Sequence, residues 1–173
     1  SINRKVSSLK SFYKFLVKTQ TISSSPLLAH SPLKQSKKIQ VPFSKEEIGS
    51  LLDSDFFKSD FKGVLQKTII SFFYLTGVRR VELINLKLSD INMSSSTVRI
   101  MGKRNKERII PMLPKLKKSI KEYLSLKSTK FENNISDYLF ISSSGSQLTE
   151  KFVYRTVNEY FKLVSPKLKK APH

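Results

Sequence analysis

The chain has 173 residues, 32 Lys and Arg against 13 Asp and Glu, a formal net charge of +19, and a hydrophobic fraction of 39% that includes twelve Phe. That is enough apolar material for one domain, or one domain plus a piece of another, and so large a positive charge favours a polyanion partner, most simply nucleic acid. The absence of Cys excludes disulfides and thiolate metal sites, the two His lie far apart with no metal-ligand spacing, and neither a run of transmembrane length nor a signal peptide is seen, so a cytoplasmic setting without a membrane partner is expected. The chain opens with Ser1, which suggests a piece of a longer protein.

Residues 1–19 read as an amphipathic helix. Ile2, Val6, Leu9, Tyr13 and Leu16, with Phe12 and Val17 beside them, form a wide apolar face, and Arg4, Lys5, Lys10, Lys14 and Lys18 fill the others. Such a helix needs others to pack on. Residues 20–43 read as a basic linker, with Ser25-Pro26, Ser31-Pro32 and Val41-Pro42 and no acid before Glu46. His30 in this stretch reads as an ordinary loop histidine. Ser44-Lys45-Glu46-Glu47 is a capping box ahead of Ile48, Leu51 and Leu52. The acids Asp53, Asp55 and Asp60 fit no calcium loop and read as helix-end carboxylates.

A helix starting at Asp60 is expected to run through the apolar stretch Ile69–Leu75 and to stop at Gly77, where a left-handed position is cheap only for glycine. A short helix follows, with Val81, Leu83, Ile84 and Leu86 as its apolar contacts. Arg79 sits at the joint, where a guanidinium anchored between buried elements is aimed in advance and suits a phosphate bidentately.

The stretch from Thr76-Gly77-Val78-Arg79 through Glu82-Leu83, Leu86 and Asp90-Ile91 resembles the first motif box of the tyrosine recombinases, the phage-integrase family. The family pattern is roughly T-G-hydrophobic-R-x-x-E-L-x-x-L-x-x-x-D-I, and every fixed position is met. The resemblance implies that Arg79 is catalytic and that Glu82 is a supporting carboxylate. Arg80 has no assignable family role and defaults to a solvent or DNA-backbone contact. The resemblance extends, more loosely, to residues 2–16, which look like the last helix of the family's N-terminal core-binding domain.

Thr97–Met101 and Glu107–Pro111 read as the two strands of a hairpin, joined by Gly102-Lys103-Arg104-Asn105-Lys106. The family carries its catalytic lysine in such a hairpin, which implies Lys103, with Lys106 as runner-up. Lys103 would then protonate the departing 5′ oxygen. Arg104, Lys106 and Arg108 are further DNA-binding candidates. Pro114–Lys127 is a second amphipathic helix whose basic set is Lys115, Lys117, Lys118, Lys121 and Lys127. Of these, Lys117 and Lys121 are assigned to DNA. Tyr138–Ile141 reads as a short buried strand or extended segment, and Thr149 caps a final helix with Phe152, Val153, Val157, Tyr160 and Phe161 on its apolar side. The closing Pro172-His173 resembles the opening of the family's second box, H-x-x-R, and implies a catalytic role for His173.

The expected fold is therefore α+β and mostly helical. It is a tyrosine-recombinase (DNA breaking-rejoining) catalytic domain over residues 44–173, with a small antiparallel β-sheet, preceded by one helix of the core-binding domain and a linker. The implied chemistry is strand cleavage and rejoining through a 3′-phosphotyrosyl link, with no cofactor, no metal and no small-molecule substrate, on double-stranded DNA and by a homo-tetramer on paired sites. The second arginine and the nucleophile fall beyond His173 in the family. Tyr13, Tyr74, Tyr123, Tyr138, Tyr154 and Tyr160 all precede it and read as core or interface residues. The chain itself is thus expected to bind DNA without cleaving it. A non-catalytic DNA-binding relic or regulator and a basic RNA-binding protein are the alternatives.

Overall fold

A computed structural model describes residues 2–34, 43–132 and 136–164. His173 and residues 35–42 of the expected linker lie outside the described residues. The chain divides into two units, Ser1–Ile39 and Gln40–His173.

In the first unit, helix α1 spans Ile2–Lys18 and buries none of its residues. Its apolar stripe is open, with Ile2, Leu9, Phe12 and Phe15 exposed. The following segment folds back along the helix. Lys10 Nζ donates to the His30 carbonyl at 2.7 Å, and the Asn3 amide exchanges two bonds with the backbone of Leu33 at 2.9 and 3.0 Å. His30 is less ordinary than expected: its Nε2 is buried and has no hydrogen-bond partner among the described residues.

The second unit starts with helix α2, Lys45–Asp53, closed by the expected capping box, in which Glu47 N–H donates to Ser44 Oγ and Ser44 N–H donates to Glu47 Oε2. Helix α3, Phe61–Thr76, begins at Asp60, whose carboxylate accepts from Gly63 N–H at 2.7 Å. After the short helix α4, Arg80–Ile84, a three-stranded antiparallel sheet is laid down in the order β1 (Ile91–Asn92), β2 (Thr97–Met101) and β3 (Glu107–Pro111). Helices α5, Pro114–Lys130, and α6, Glu150–Val164, complete the unit. Thr149 Oγ1 accepts from Phe152 N–H, which is the expected cap of α6.

The core is centred on the apolar α3. Leu65, Ile69 and Phe72 pack with Leu116, Ile120 and Tyr123 of α5, with Val98 and Ile100 of β2, and with Leu139, Phe140 and Ile141. Each fully buried large apolar side chain contributes about 1.5–3 kcal/mol. A second cluster joins α2 and α6: Leu51, Leu52, Phe57 and Ile70 meet Tyr160, whose ring stacks on Phe57 at 4.3 Å. Residues 138–141 make isolated bridges to Lys87 and Gln147. Tyr123 and Tyr160 are buried, whereas Tyr74 and Tyr154 are exposed, because an apolar run on an amphipathic helix also includes outward positions.

Lys127 corrects the expected basic stripe of α5. It is buried, not part of the surface set, and its ammonium donates to the Tyr138 carbonyl at 2.6 Å. Burial lowers its pKa. The side chain ties α5 to an extended segment that in turn holds the chain after α4, through Leu139 N–H to Leu86 O at 2.7 Å and Leu88 N–H to Asp137 O at 2.8 Å. Lys127→Ala leaves a half-buried carbonyl without this donor. The expected cost is about 1–3 kcal/mol of unfolding free energy, read from urea denaturation with an unchanged m value.

Candidate functional site

The site is assembled where three elements meet. Helix α3 ends at Gly77, which takes the expected left-handed conformation (φ 61°) and returns its N–H to Phe73 O at 2.9 Å. Val78 is buried and anchors the turn. Arg79 is then extended (φ −78°, ψ 153°) as the N-cap of α4, so its side chain leaves the joint just where the chain changes direction.

Glu82, three residues on, turns back to this joint. Its side chain is only 7% exposed, and it accepts Arg79 N–H at Oε2 (2.9 Å) and Arg79 Nη1 at Oε1 (2.9 Å). The third element is the hairpin. Arg108 of β3 lies opposite Ile100 of β2, a fully buried residue, so strand alternation turns Arg108 to the inner side of the sheet while Ile109 faces out at 67% exposure. Arg108 Nη1 donates to Glu82 Oε1 at 3.1 Å and Nη2 to Oε2 at 2.7 Å. Each carboxylate oxygen therefore accepts one bond from each arginine. These bonds hold Glu82 at a pKa of about 2, chiefly through the Arg108 hydrogen bonds and against the opposing effect of burial. The Arg79 side chain, anchored at Nη1, is 66% exposed.

The ends of α4 are held from α6 and the loop before it. Arg80 forms an ion pair with Glu150 at the start of α6, and Gln147 Nε2 donates to Ile84 O and Asn85 Oδ1 at 3.3 and 3.0 Å. Asp90, the acidic position of the box, has a structural place. It accepts from Lys87 N–H at 2.9 Å and pairs with Arg99 of β2 at 2.9 Å.

Lys103, Arg104 and Lys106 lie exposed at the hairpin tip, where Arg104 and Asn105 both have positive φ (58° and 59°) and Gly102 N–H closes the loop on Lys106 O at 2.7 Å. Two successive left-handed residues suit the twist of an antiparallel pair. The base of this tip lies beside the carboxylate cluster. A Cβ added at Gly102 would stand 3.4 Å from Arg108 Nη1 and 3.6 Å from Glu82 Oε1, and 3.2 Å from Lys106 O. Lys103 follows Gly102 in the chain, and its own side chain is exposed. On α5, Lys117 Nζ donates to Ser96 Oγ at 2.8 Å, and Lys121 is exposed. Arg108, a DNA-binding candidate by its charge, has a bidentate seat on Glu82 that charge alone does not reveal. The signal available was its parity with Ile110 in β3. Among the described residues no group of His, Asp and Glu could hold a metal ion, and no helix is long and apolar enough to cross a membrane.

Residues 44–173 match the phage integrase family model. A tyrosine recombinase XerC of Staphylococcus epidermidis is 35% identical over 162 residues, covering 94% of this chain and 54% of that protein. Among solved structures, a XerA recombinase superposes with a TM-score of 0.63 at 25% identity, over 94% of this chain and 53% of that one. The XerH site-specific recombinase bound to palindromic difH substrate, a post-cleavage complex, superposes with a TM-score of 0.70 at 24% identity, over 86% of this chain and 44% of that one, a likeness of fold. The architecture is that of the catalytic domain of tyrosine recombinases and integrases. On the match over residues 44–173, the chain belongs to the phage integrase family. It spans about half the length of the curated relatives it matches.

The buried carboxylate makes a pH signature. Glu82 titrates at about 2 when folded and near 4.5 when free, so its contribution to stability is complete above pH 4.5 and is lost as pH falls towards 2. The stability gap between the wild type and Glu82→Gln should therefore shrink over that window. Urea midpoints measured in parallel from pH 6 to the acid limit of folding check this.

Proposed function

We propose that this chain is the catalytic-domain part of a site-specific DNA recombinase, with residues 1–19 contributed by a core-binding domain, 20–43 a basic linker and 44–173 catalytic. The longer protein cleaves and rejoins DNA through a 3′-phosphotyrosyl intermediate, acts in the cytoplasm, and assembles as a homo-tetramer on paired sites. A tyrosine hydroxyl attacks the phosphodiester, a 5′ hydroxyl leaves, and the phosphotyrosyl bond is later attacked by the 5′ hydroxyl of the partner strand. Covalent storage of the bond divides one transfer into two easier steps and requires no nucleotide.

The observation that carries the reading is the anchoring of Arg79 by Glu82. With Nη1 fixed at 2.9 Å and most of its side chain exposed, Arg79 presents a pre-oriented guanidinium to a phosphate whose charge grows in the transition state. Lys103, on the tip whose base adjoins the cluster, is the acid for the departing 5′ oxygen, and His173 handles protons at the same phosphate. Of the DNA-binding candidates Arg80, Arg104, Lys106, Arg108, Lys117 and Lys121, three side chains are exposed and make no side-chain hydrogen bond or ion pair among the described residues: Arg104, Lys106 and Lys121. They are the ones best placed to meet a duplex. No residue of the 173 takes the part of the second arginine or of the nucleophile, so the chain itself binds duplex DNA and does not cut it.

Two measurements test this. In the full-length recombinase, Arg79→Ala should reduce covalent adduct formation on a nicked duplex by about 100-fold or more while duplex affinity stays within a few-fold. An RNA-binding protein would lose no more than one phosphate contact. The 173-residue chain should bind duplex with a steep salt dependence and give no adduct on the same substrate. A covalent adduct with the chain alone would overturn its assignment as a binder only.

A further inference from the structure

We infer that Arg108 is a positioning residue, which sets Arg79 through Glu82 and fixes the Lys103-bearing hairpin to α4, and is not a contact for the DNA backbone. Its functional meaning rests on the recombinase reading, but its geometry does not. The register of β3 against β2 turns Arg108 inward, opposite buried Ile100, with a side chain 38% exposed. Both of its terminal nitrogens are committed to Glu82, at 3.1 and 2.7 Å.

Glu82 is the shared element. An ionised carboxylate has about four lone-pair sites, and here four donors occupy them: two from Arg108, Arg79 Nη1 and Arg79 N–H. With Arg108 gone, a carboxylate almost without solvent would keep only the two donors of Arg79. It would then rotate or take up a proton, and either change frees Arg79 Nη1 from its fixed acceptor. A lysine at 108 restores the charge but not the two parallel bonds, because an ammonium is a point donor and a guanidinium a planar fork. The same fork also spans two elements. A Cβ built at Gly102 would meet Arg108 Nη1 at 3.4 Å, so the base of the tip lies beside the fork that reaches Glu82 of α4.

The experiment uses the 173-residue chain as wild type, Arg108→Gln, Arg108→Lys, Glu82→Gln and the Arg108→Gln/Glu82→Gln double variant. Three quantities are read: 15N relaxation of Arg79 Nε–H, the 13C titration of the Glu82 carboxyl, and duplex affinity across salt concentrations. Arg108→Gln is expected to release Arg79 Nε–H into fast motion and to move the Glu82 midpoint up towards its free value. It should leave the slope of log K against log salt unchanged. Arg108→Lys is expected to do the same to Arg79, and the double variant should be no worse than Glu82→Gln alone. An Arg79 signal as ordered in Arg108→Gln as in the wild type overturns the inference. So does a salt slope reduced by about 0.9, the value for one lost phosphate contact, or a double variant whose losses add. If Arg108→Gln does not fold, Arg108→Lys decides by the same readings. A chain that binds no duplex at all defeats the recombinase reading, while the relaxation and titration data still decide the role of Arg108.

Discussion

A single buried carboxylate governs the arrangement of this domain. Taking an ionised carboxyl out of water costs several kcal/mol even after relaxation, and the cost is offset only by close, well-aligned donors. Glu82 finds them on two different parts of the chain: the residue that starts its own helix and a strand 26 positions further on. The turn after α3, the start of α4 and the inner face of β3 must therefore come together at once. None of these elements can shift without leaving a charge unpaired.

This demand falls on a helix too small to stand by itself. Five residues are far below the length at which a helix persists in water, so α4 exists because of what surrounds it. Leu83 and Ile84 hold it from the core side, the Gln147 amide covers its last carbonyl, Arg80 reaches across to α6, and the segment at 137–139 pairs with the chain that follows. Lys127 fixes that segment from behind. Rigidity at the joint is thus supplied from the whole unit. The Arg79 guanidinium is held by that support, and a preorganised donor needs no reorganisation when charge develops nearby.

Much of this was legible in the sequence, and the legible part is local. The cap at Ser44, the start at Asp60, the stop at Gly77 and both strands of the hairpin follow from residue types within a few positions of each other, and the structure places each where those residues lead. The pairing of Arg79 with Glu82 is local too, three residues apart on one helical turn. The seats of Arg108 and Lys127 were not legible. Both are cations within basic stretches, and charge alone assigns them to solvent or to a polyanion. What decides otherwise is a partner distant in sequence: Glu82 for one, the carbonyl of Tyr138 for the other. Parity along β3 gave a hint, because Arg108 shares the side of Ile110, whereas Lys127 follows the α5 apolar positions with only a helical period to mark it. The outward tyrosines Tyr74 and Tyr154 belong to the same class of ambiguity.

The hairpin divides into two regions with opposite tolerance for change in length. Its tip is closed by one backbone bond between Gly102 and Lys106 and turns through two left-handed residues, so extra residues between 103 and 105 extend into solvent and leave the ladder below in register. A single residue inserted between Lys106 and Glu107 has a different effect. Alternation along the strand would move Arg108 to the outer face and bring Glu107 inward, setting a second carboxylate beside Glu82 in place of its guanidinium. Natural variation in this domain should therefore accumulate as insertions at the tip, and the strand that returns from it should keep a fixed count.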